Sequence, residues 1–141
     1  TRAEFNPVYA FIMSQQGQLG TFQITPPVIS DAIGNLSGTM AANGAHSIGD
    51  STIAIDGITG TIKAGDLVKF NGHSKVYMVT QDLTGAGTLN IEPALVETVS
   101  NDETIDYDGV TFTMRLNNDV QSYSLESNEY YVFEVDMVEV L

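Results

Sequence analysis

Apolar and polar residues alternate in the middle of the chain, between Ala64 and Thr80, in the manner of two short β-strands. Leu67 to Phe70 and Lys75 to Thr80 are rich in β-branched and aromatic residues, and Asn71-Gly72 between them provides the positive φ angles of a tight reversal. The pattern therefore predicts a β-hairpin. The side chains predicted to face its buried side are Val68, Phe70, Val76 and Met78.

The segments on both sides of this hairpin show the same alternation and predict further strands. Thr52 to Asp56 precedes the hairpin, and Thr88 to Glu92 follows it. Since a lone two-stranded ribbon is only marginally stable in water, we expect these segments to join it in a compact barrel of about four or five strands. The positions predicted to face inward in the two flanking strands are Ile53, Ile55, Leu89 and Ile91.

The first residues of the chain predict an amphipathic α-helix. Apolar side chains recur there with helical spacing, and Gln16-Gly17 provides a left-handed stop. Pro7 interrupts the pattern, so the helix is either kinked there or begins later, with Asn6 as its N-cap and Pro7 as its first residue. The apolar stripe consists of Phe5, Tyr9, Ile12 and Met13.

Three more segments, near the two ends of the chain, alternate like strands. Thr21 to Thr25 ends at Pro26-Pro27, which blocks further ladder pairing, and Val110 to Leu116 is typical of a half-buried strand. The last segment, Tyr130 to Leu141, places apolar side chains on one face, with a bulge or a change of environment expected near Val138. That face consists of Tyr131, Phe133, Val135 and Met137.

Together these elements predict a mainly β fold with two modules. An outer module, residues 1–43 and 105–141, would combine the helix with a partial β-sandwich, and a small antiparallel β-barrel, residues 44–104, would be inserted into it. Val28 to Gly49 has no sustained period, so we expect a long surface connection there with one short strand at most. The outer module is thin, and its uncovered apolar face needs a second layer, from residues that precede Thr1 or from another subunit.

Acidic residues dominate the charge of the chain. Its 141 residues include 18 Asp and Glu against 5 Lys and Arg, which gives a formal net charge of −13. This charge would repel nucleic acid and anionic membranes, so we expect neither as a partner. The absence of cysteine excludes disulfides and thiolate chemistry, and no apolar run approaches the roughly 20 residues of a membrane span. The chain begins with Thr rather than Met, so we expect a processed or truncated piece.

The sequence has no catalytic or cofactor motif, and we expect neither enzymatic activity, a metal site nor a cofactor. His46 and His73 lie in turn-like contexts without a neighbouring nucleophile and are interpreted as loop residues. The most acidic stretch, Asn101 to Gly109, does not match an EF-hand, because Thr104 would occupy the first ligand position and Arg115 that of the bidentate Glu. A solvated hairpin loop is favoured there over an irregular calcium site.

Two alternatives to a structural role stay open at this point. An enzyme such as a cell-wall hydrolase would need two carboxylates in one cleft, which any acidic protein could supply. A carbohydrate-binding module would use exposed tyrosines beside Asp or Asn, since such side chains can bind sugars or a protein partner. The candidate residues for that module are Tyr107, Asp108, Tyr123 and Asn128.

Several short motifs follow one another in a characteristic order over nearly the whole chain. They are Thr1-Arg-Ala-Glu-Phe5, Gln16-Gly-Gln18, Gly20-Thr-Phe22, Pro26-Pro27, Ala64-Gly-Asp-Leu-Val-Lys-Phe70, Gly72-His-Ser-Lys-Val-Tyr-Met-Val-Thr80, Ile91-Glu-Pro-Ala-Leu95 and Phe133-Glu-Val-Asp-Met-Val-Glu139. In this combination the chain resembles tail-tip proteins of long-tailed bacteriophages and prophages, of the distal-tail or minor-tail type.

This resemblance implies a virion structural protein that forms a ring, often six-fold, between the tail tube and the baseplate or fibres. Its partners would be copies of itself and other tail proteins, and assembly would take place in the host cytoplasm. Members of the group usually begin several strands before the helix, which agrees with an internal position for Thr1. We then expect the barrel to project outward and the helix and last strand to make the subunit contacts. The expected contact residues are Phe5, Tyr9, Ile12, Tyr131, Phe133 and Val135.

Overall fold

The structure, a computed structural model, describes residues 2–120, 123–125 and 131–141, and for residues 2, 123–125 and 131–133 it describes the backbone alone. Its helical elements are α1 (Arg2–Ser14) and a 3₁₀ turn (Gly17–Leu19). The strands in the described residues are β1 (Thr21–Ile24), β2 (Ser37–Ala42), β3 (Thr52–Thr59), β4 (Thr61–Ile62), β5 (Leu67–Phe70), β6 (Tyr77–Val79), β7 (Leu83–Thr84), β8 (Gly87–Glu92), β9 (Ile105–Asp106), β10 (Phe112–Leu116), β11 (Tyr123–Leu125), β12 (Tyr131–Phe133) and β13 (Met137–Glu139).

These elements confirm the prediction of a mainly β chain with one α-helix and a small antiparallel barrel. The chain divides into two compact units. The first unit consists of residues 1–23 and 113–140, and the second unit consists of residues 24–112 together with residue 141.

The second unit is built on a six-stranded sheet in the order β2-β3-β8-β6-β5-β9. Its two outermost strands approach each other, because Ala41 of β2 forms an antiparallel bridge with Thr104, directly before β9. The amide of Ala42 also donates to the carbonyl oxygen of Glu103 at 2.9 Å. The sheet therefore closes nearly completely into a barrel, which removes most of the free strand edge.

The core of this barrel comes from the alternating strands. The predicted inward positions of β3 and β8 are confirmed, since Ile53, Ile55, Leu89 and Ile91 are all buried. Ile53 lies directly opposite Leu89 in the antiparallel pair. Opposite residues share a face of the sheet, so both strands send their aliphatic side chains into one core. Burial of each such side chain contributes about 1.5–3 kcal/mol.

The pairing of the two arms of the central hairpin is confirmed, but the tight reversal at Asn71-Gly72 is not, since residues 71–76 connect β5 to β6 and only Gly72 of the two has a positive φ angle. The predicted phase of the second arm is also wrong for Met78. In the β5–β6 pair Val68 lies opposite Tyr77. Val68 is buried, so Tyr77 and Val79 point into the core with it, whereas Met78 is 49% exposed. The second arm, Val76 to Val79, is apolar throughout, and alternation therefore did not distinguish its two phases.

The second unit extends beyond the limits expected for the inserted barrel, because residues 44 and 104 both lie inside it. The added strand is β2, which pairs antiparallel with β3 and lies within the predicted connection from Val28 to Gly49. Its sequence, Ser-Gly-Thr-Met-Ala-Ala, has small residues and little alternation. The register also shifts between Gly38 and Ala41, which interrupts the period-two pattern.

The first unit begins with α1. Pro7 lies inside this helix, so the alternative start at Asn6 is not adopted. The helix stops as predicted, because Gln16 and Gly17 both have left-handed φ angles, 55° and 67°. In the described part of the chain no helix combines the length and the apolar character needed to cross a bilayer.

The sheet of the first unit has three strands in the order β1-β10-β13, and its central strand confirms the one predicted from Val110 to Leu116. The predicted final strand is interrupted at residues 134–136, and the bulge expected near Val138 is not seen. The chain changes partner at this break, since β12 pairs with β11 and β13 pairs with β10. Met137, expected on the buried face, follows the break and is exposed.

Candidate docking surfaces

The predicted contact stripe on α1 lies on one side of the helix. Phe5 and Tyr9 stack with their ring centroids 5.7 Å apart and an interplanar angle of 18°, and both side chains are half-buried. Ile12, one turn further on, is buried. This side of the helix therefore contains both packed and partly accessible apolar side chains.

Three other apolar side chains of α1, which are not among the predicted subunit contacts, are exposed. Val8, Phe11 and Met13 are all exposed, Phe11 to 46%. The Phe11 ring packs edge-on against Phe22 of β1, with centroids 5.4 Å apart. The signal for these positions was present in the sequence, because a helix that is apolar on more than one side needs more than one packing partner.

The predicted contacts on the last strands are only partly described. Val135 is half-buried between β12 and β13, and the side chains of Tyr131 and Phe133 lie outside the described part. On β13, Met137 and Val138 are exposed. We name the exposed apolar residues Val8, Phe11 and Met13 the helical surface of the first unit, with Met13 on a different side of α1 from the other two. We name Met137 and Val138 its strand surface, although their side chains point to opposite faces of β13.

Two of the four residues proposed for sugar binding, Tyr107 and Asp108, lie in the second unit with described side chains. The Tyr107 hydroxyl donates to the carbonyl oxygen of Gly38 at 2.7 Å, and an Asp108 carboxylate oxygen accepts from the amide of Ala32 at 3.0 Å. Both line a shallow open groove of about 240 Å³. The Tyr123 side chain and the whole of Asn128 lie outside the described residues.

A second, more enclosed groove in this unit has an apolar lining and a volume of about 430 Å³. It was missed from the sequence, because its residues come from a loop without a period and from distant strands. The signal was the group of aliphatic residues Val28, Ile29 and Ile33 at the start of the predicted connection. We name this the apolar groove; its apolar side chains are Val28, Ile29, Ile33, Leu67, Met78 and Phe112.

Residues 26–34, which we name the strap, form one wall of this groove and are fixed by hydrogen bonds to carboxylates. The buried Asp66 accepts from the amides of Ile33 (2.9 Å) and Lys63 (2.8 Å), one with each oxygen. Asp31 accepts from the amide of Gly109 at 3.0 Å. These acidic side chains therefore have a structural task, that of accepting from backbone amides.

One exposed carboxylate of the second unit also pairs with a cation. Asp82 accepts from the Lys63 ammonium at 2.7 Å and from the amide of Ala64 at 2.9 Å. The hydrogen bond from Lys63, with a smaller contribution from Ala64, holds the pKa of the Asp82 carboxyl below its ordinary value. This pair fastens the start of the turn before β5 to the residues before β7.

Both histidines lie in loops, as predicted, but His73 is buried. Its Nε2 lies 3.2 Å from the carbonyl oxygen of Thr98 and 3.4 Å from Oε1 of Glu103. A carbonyl oxygen can only accept, so Nε2 carries the proton. His46 accepts with Nε2 from the amide of Ala54 at 3.2 Å. Both rings therefore connect loops to the barrel.

Side chains of the acidic stretch from Asn101 to Gly109 accept hydrogen bonds from backbone amides. Asn101 accepts from the amide of Gly44 at 2.7 Å, and Glu103 accepts from the amide of Ser100 at 2.9 Å. Among the described residues no three His, Asp or Glu side chains are grouped so that they could hold a metal ion.

The sequence model of the family described as "Distal tail protein pb9, B domain" matches residues 29–110, more than half of the chain. The chain belongs to the distal tail protein pb9 family. The matched residues lie entirely within the second unit, so the B domain of this family corresponds to the barrel and its strap. No curated protein matches the chain significantly.

Membership of the distal tail protein pb9 family gives the coarse function. The chain is a structural protein of a phage tail, and it is located in the tail of the virion, where its partners are other tail proteins. The apolar surfaces of its two units are the places where such contacts could form.

Proposed function

We propose that the chain acts by forming a closed ring of identical subunits that connects the tail tube to the distal components of the tail. The observation that carries this proposal is the helical surface of the first unit, where Val8, Phe11 and Met13 are exposed on a short helix. Large apolar side chains exposed on more than one side of a short helix need more than one packing partner, which another polypeptide would supply. The strand surface of the same unit, Met137 and Val138, supports the proposal independently.

The charge of the chain determines how such a ring would respond to salt. Each copy carries a formal charge of −13, so copies repel one another at low ionic strength. Salt screens this repulsion over a distance of about 8 Å at physiological ionic strength. We therefore expect self-association through apolar contacts to become stronger as salt is added.

Sedimentation velocity tests the proposal. The chain and a version extended at its N-terminus are compared at several salt concentrations, and the extended chain is expected to form a closed ring. Phe11→Asp places a charge on the helical surface and is expected to weaken association at least about tenfold. Ile48→Asp is the control, because Ile48 is an exposed apolar side chain of the second unit, 64% exposed against 46% for Phe11.

A stable monomer at high concentration for both lengths of chain would contradict ring formation. Equal effects of Phe11→Asp and Ile48→Asp would contradict the assignment of the contact to the helical surface. Alanine substitutions of Phe5, Tyr9 and Val135 in the same assay test the contacts expected from the sequence. Each of them is expected to weaken association without unfolding the second unit.

Sugar binding at the host surface is the second candidate function. It is supported by the shallow groove of about 240 Å³, where Tyr107 and Asp108 lie beside Thr39, Thr104 and Asp106. Binding of the chain to a glycan array, lost on Tyr107→Ala and kept in Tyr107→Phe, would favour this function. Binding that neither variant changes would remove it.

We propose that the chain has no enzymatic activity, which is what a structural tail domain implies. The carboxylates of Asp31, Asp66 and Asp108, which hold the strap, support this, because they are used as acceptors for backbone amides. Incubation with peptidoglycan is expected to release no soluble fragments. Release of fragments that Asp66→Asn or Asp108→Asn abolishes would contradict the proposal.

A further inference from the structure

The strap exposes aliphatic side chains that the second unit does not use in its core. Val28 is 84% exposed and Ile33 is 80% exposed, and Ile29 is exposed beside them. Met78 on β6 forms the opposite side of the same apolar groove. Single exposed aliphatic residues need no explanation, but several that line one concave surface mark a binding site.

Hydrogen bonds keep these side chains in place. Asp66 and Asp31 hold the strap at Ile33 and against Gly109, and the amide of Val110 donates to the carbonyl oxygen of Ser30 at 3.0 Å. The backbone of the strap is therefore fixed at several positions along its length. Exposure of its aliphatic side chains is a property of the folded unit and does not depend on a rearrangement.

Val28 gives a second indication that the groove is built for binding. Its φ angle is +77°, in the left-handed region that a β-branched residue rarely adopts. Residues held in such a conformation are found preferentially at ligand clamps and switch regions. The unit thus tolerates strain at the residue that has the most exposed aliphatic side chain of the strap.

Acidic groups predominate around the apolar groove, although the Lys69 ammonium also lies beside it and donates to the carbonyl oxygen of Thr111 at 2.9 Å, next to Phe112. Asp31 and Asp66 line it, and Glu92 lies directly opposite Met78 in the β6–β8 pair, so its side chain is on the same face. The Lys63 ammonium is paired with Asp82 at 2.7 Å. Residues 24–112 contain eleven Asp and Glu against three Lys, which leaves a formal charge of −8 for this part of the chain.

The charge decides between the two kinds of occupant. A second copy of the chain would bring 18 more carboxylates against 5 cationic side chains to an already negative surface. A segment with an apolar side chain flanked by Lys or Arg would instead complement both the apolar lining and the charge. Asp31 offers such a cation its second carboxylate oxygen, which accepts no hydrogen bond within the described residues.

We propose that the apolar groove is a docking site for a segment of another polypeptide that presents one or two apolar side chains flanked by Lys or Arg. The apolar side chains enter the groove between the strap and Met78, and the basic side chain pairs with Asp31. Assignment of that polypeptide to the phage tail rests on the proposed function, whereas the chemistry of the segment rests on the groove alone.

Selection from a random peptide library tests this proposal. The full chain is immobilised, and peptides that also bind Met78→Asp are removed by counter-selection. Enriched sequences are expected to combine apolar residues with neighbouring Lys or Arg. A synthetic peptide from this set is expected to bind at least about tenfold more weakly to Met78→Asp and to Ile33→Asp. Its affinity for Ile48→Asp, the matched control, is expected to be unchanged.

Asp31→Asn separates the charge from the structural task of this residue. The amide oxygen can still accept from Gly109, but the negative charge is gone. We expect binding of the peptide to weaken about two- to fivefold and its salt dependence to become flatter. A purely structural role of Asp31 would leave the salt dependence unchanged.

Several results would overturn the proposal. They are enrichment of acidic peptides, absence of enrichment over the unselected library, and peptide binding that Ile33→Asp does not change. Self-association that Met78→Asp abolishes would assign the groove to a second copy, and tight binding of a fluorescent fatty acid without any enriched peptide would assign it to a small apolar ligand. Ring formation is measured separately with Phe11→Asp, so failure of peptide binding with an intact ring would overturn this proposal alone.

Discussion

The two units of the chain differ most in how much apolar surface each buries. Among the residues whose side chains are described, the second unit buries 17 apolar side chains and the first unit buries two, Ile12 and Leu116. The barrel therefore has a core of its own, whereas the first unit has an exposed helical surface and an exposed strand surface. This difference is what we expect if one unit is stable by internal packing and the other is completed by contacts with further polypeptide, as proposed above.

The largest expected effect is the loss of stability when a buried ring is removed from the barrel, compared with the same change in the first unit. Phe70→Ala removes a fully buried ring that packs edge-on against Tyr77, with centroids 5.5 Å apart, and is expected to destabilise the second unit by about 3–5 kcal/mol. Phe11→Ala, the matched change in the first unit, is expected to cost only about 1 kcal/mol, from the lost edge-on pair with Phe22. Urea unfolding of the two variants measures both values. Equal destabilisation would show that the first unit has a core as complete as that of the barrel.

A smaller effect is expected where a buried carboxylate fastens the strap. Asp66→Ala leaves the amides of Ile33 and Lys63 without their acceptor and is expected to cost about 3 kcal/mol. Asp66→Asn keeps one acceptor oxygen, so about half of this loss is expected. Urea unfolding gives the stability, and hydrogen exchange at the Ile33 amide shows whether the strap is released. Unchanged exchange in Asp66→Ala would contradict the role assigned to this residue.

The contact between Tyr107 and Gly38 is expected to contribute less. Tyr107→Phe removes the hydroxyl that donates to the Gly38 carbonyl oxygen at 2.7 Å and keeps the ring. The expected loss of stability is about 0.5–1.5 kcal/mol. If Tyr107→Phe lost more stability than Asp66→Ala, the Tyr107–Gly38 hydrogen bond would stabilise the second unit more than the Asp66 hydrogen bonds to the strap, which would contradict this ranking.

The smallest effect concerns the exposed pair of Asp82 and Lys63 and depends on pH. The pKa of Asp82 is lowered in the folded chain, so its contribution is present above the unfolded pKa, about 3.9, and is lost as the pH falls through the folded value. The urea midpoint of Asp82→Asn is expected to be slightly lower than that of the unchanged chain at neutral pH, and the two are expected to converge in acid. Lys63→Met should reproduce this convergence. A constant difference at all pH values would contradict the pairing.

The sequence predicted the barrel best where strands alternate strictly. Ile53 and Ile55 in β3, and their partners in β8, could be placed in the core because polar residues separate them. Met78 could not be placed, because its neighbours on both sides are apolar and the register of the turn decides the phase. Alternation shows which side chains of a strand face the core only where the strand contains both apolar and polar residues.

The contacts that build the apolar groove could not be predicted in the same way. Asp66 binds the strap at Ile33, and Asp108 binds it at Ala32, 76 residues away in sequence. Such pairs have no local pattern, since any acidic side chain can accept from any free amide. For the same reason the acidic residues near Tyr107 were interpreted as candidates for a ligand, whereas the folded chain uses Asp108 as an acceptor for its own backbone.

Hydrogen exchange of the whole chain is measured at two concentrations, one at which the chain is monomeric and one well above the dissociation constant of the oligomer. The comparison shows whether the first unit, unlike the barrel, needs a partner. The amides of β3, β5 and β8 are expected to be equally well protected at both concentrations, because the barrel is complete in one chain. The amides of α1, β10 and β13 are expected to exchange faster in the monomer and to gain protection on association. Equal and unchanging protection of both units would show that the first unit needs no partner, and would contradict the account.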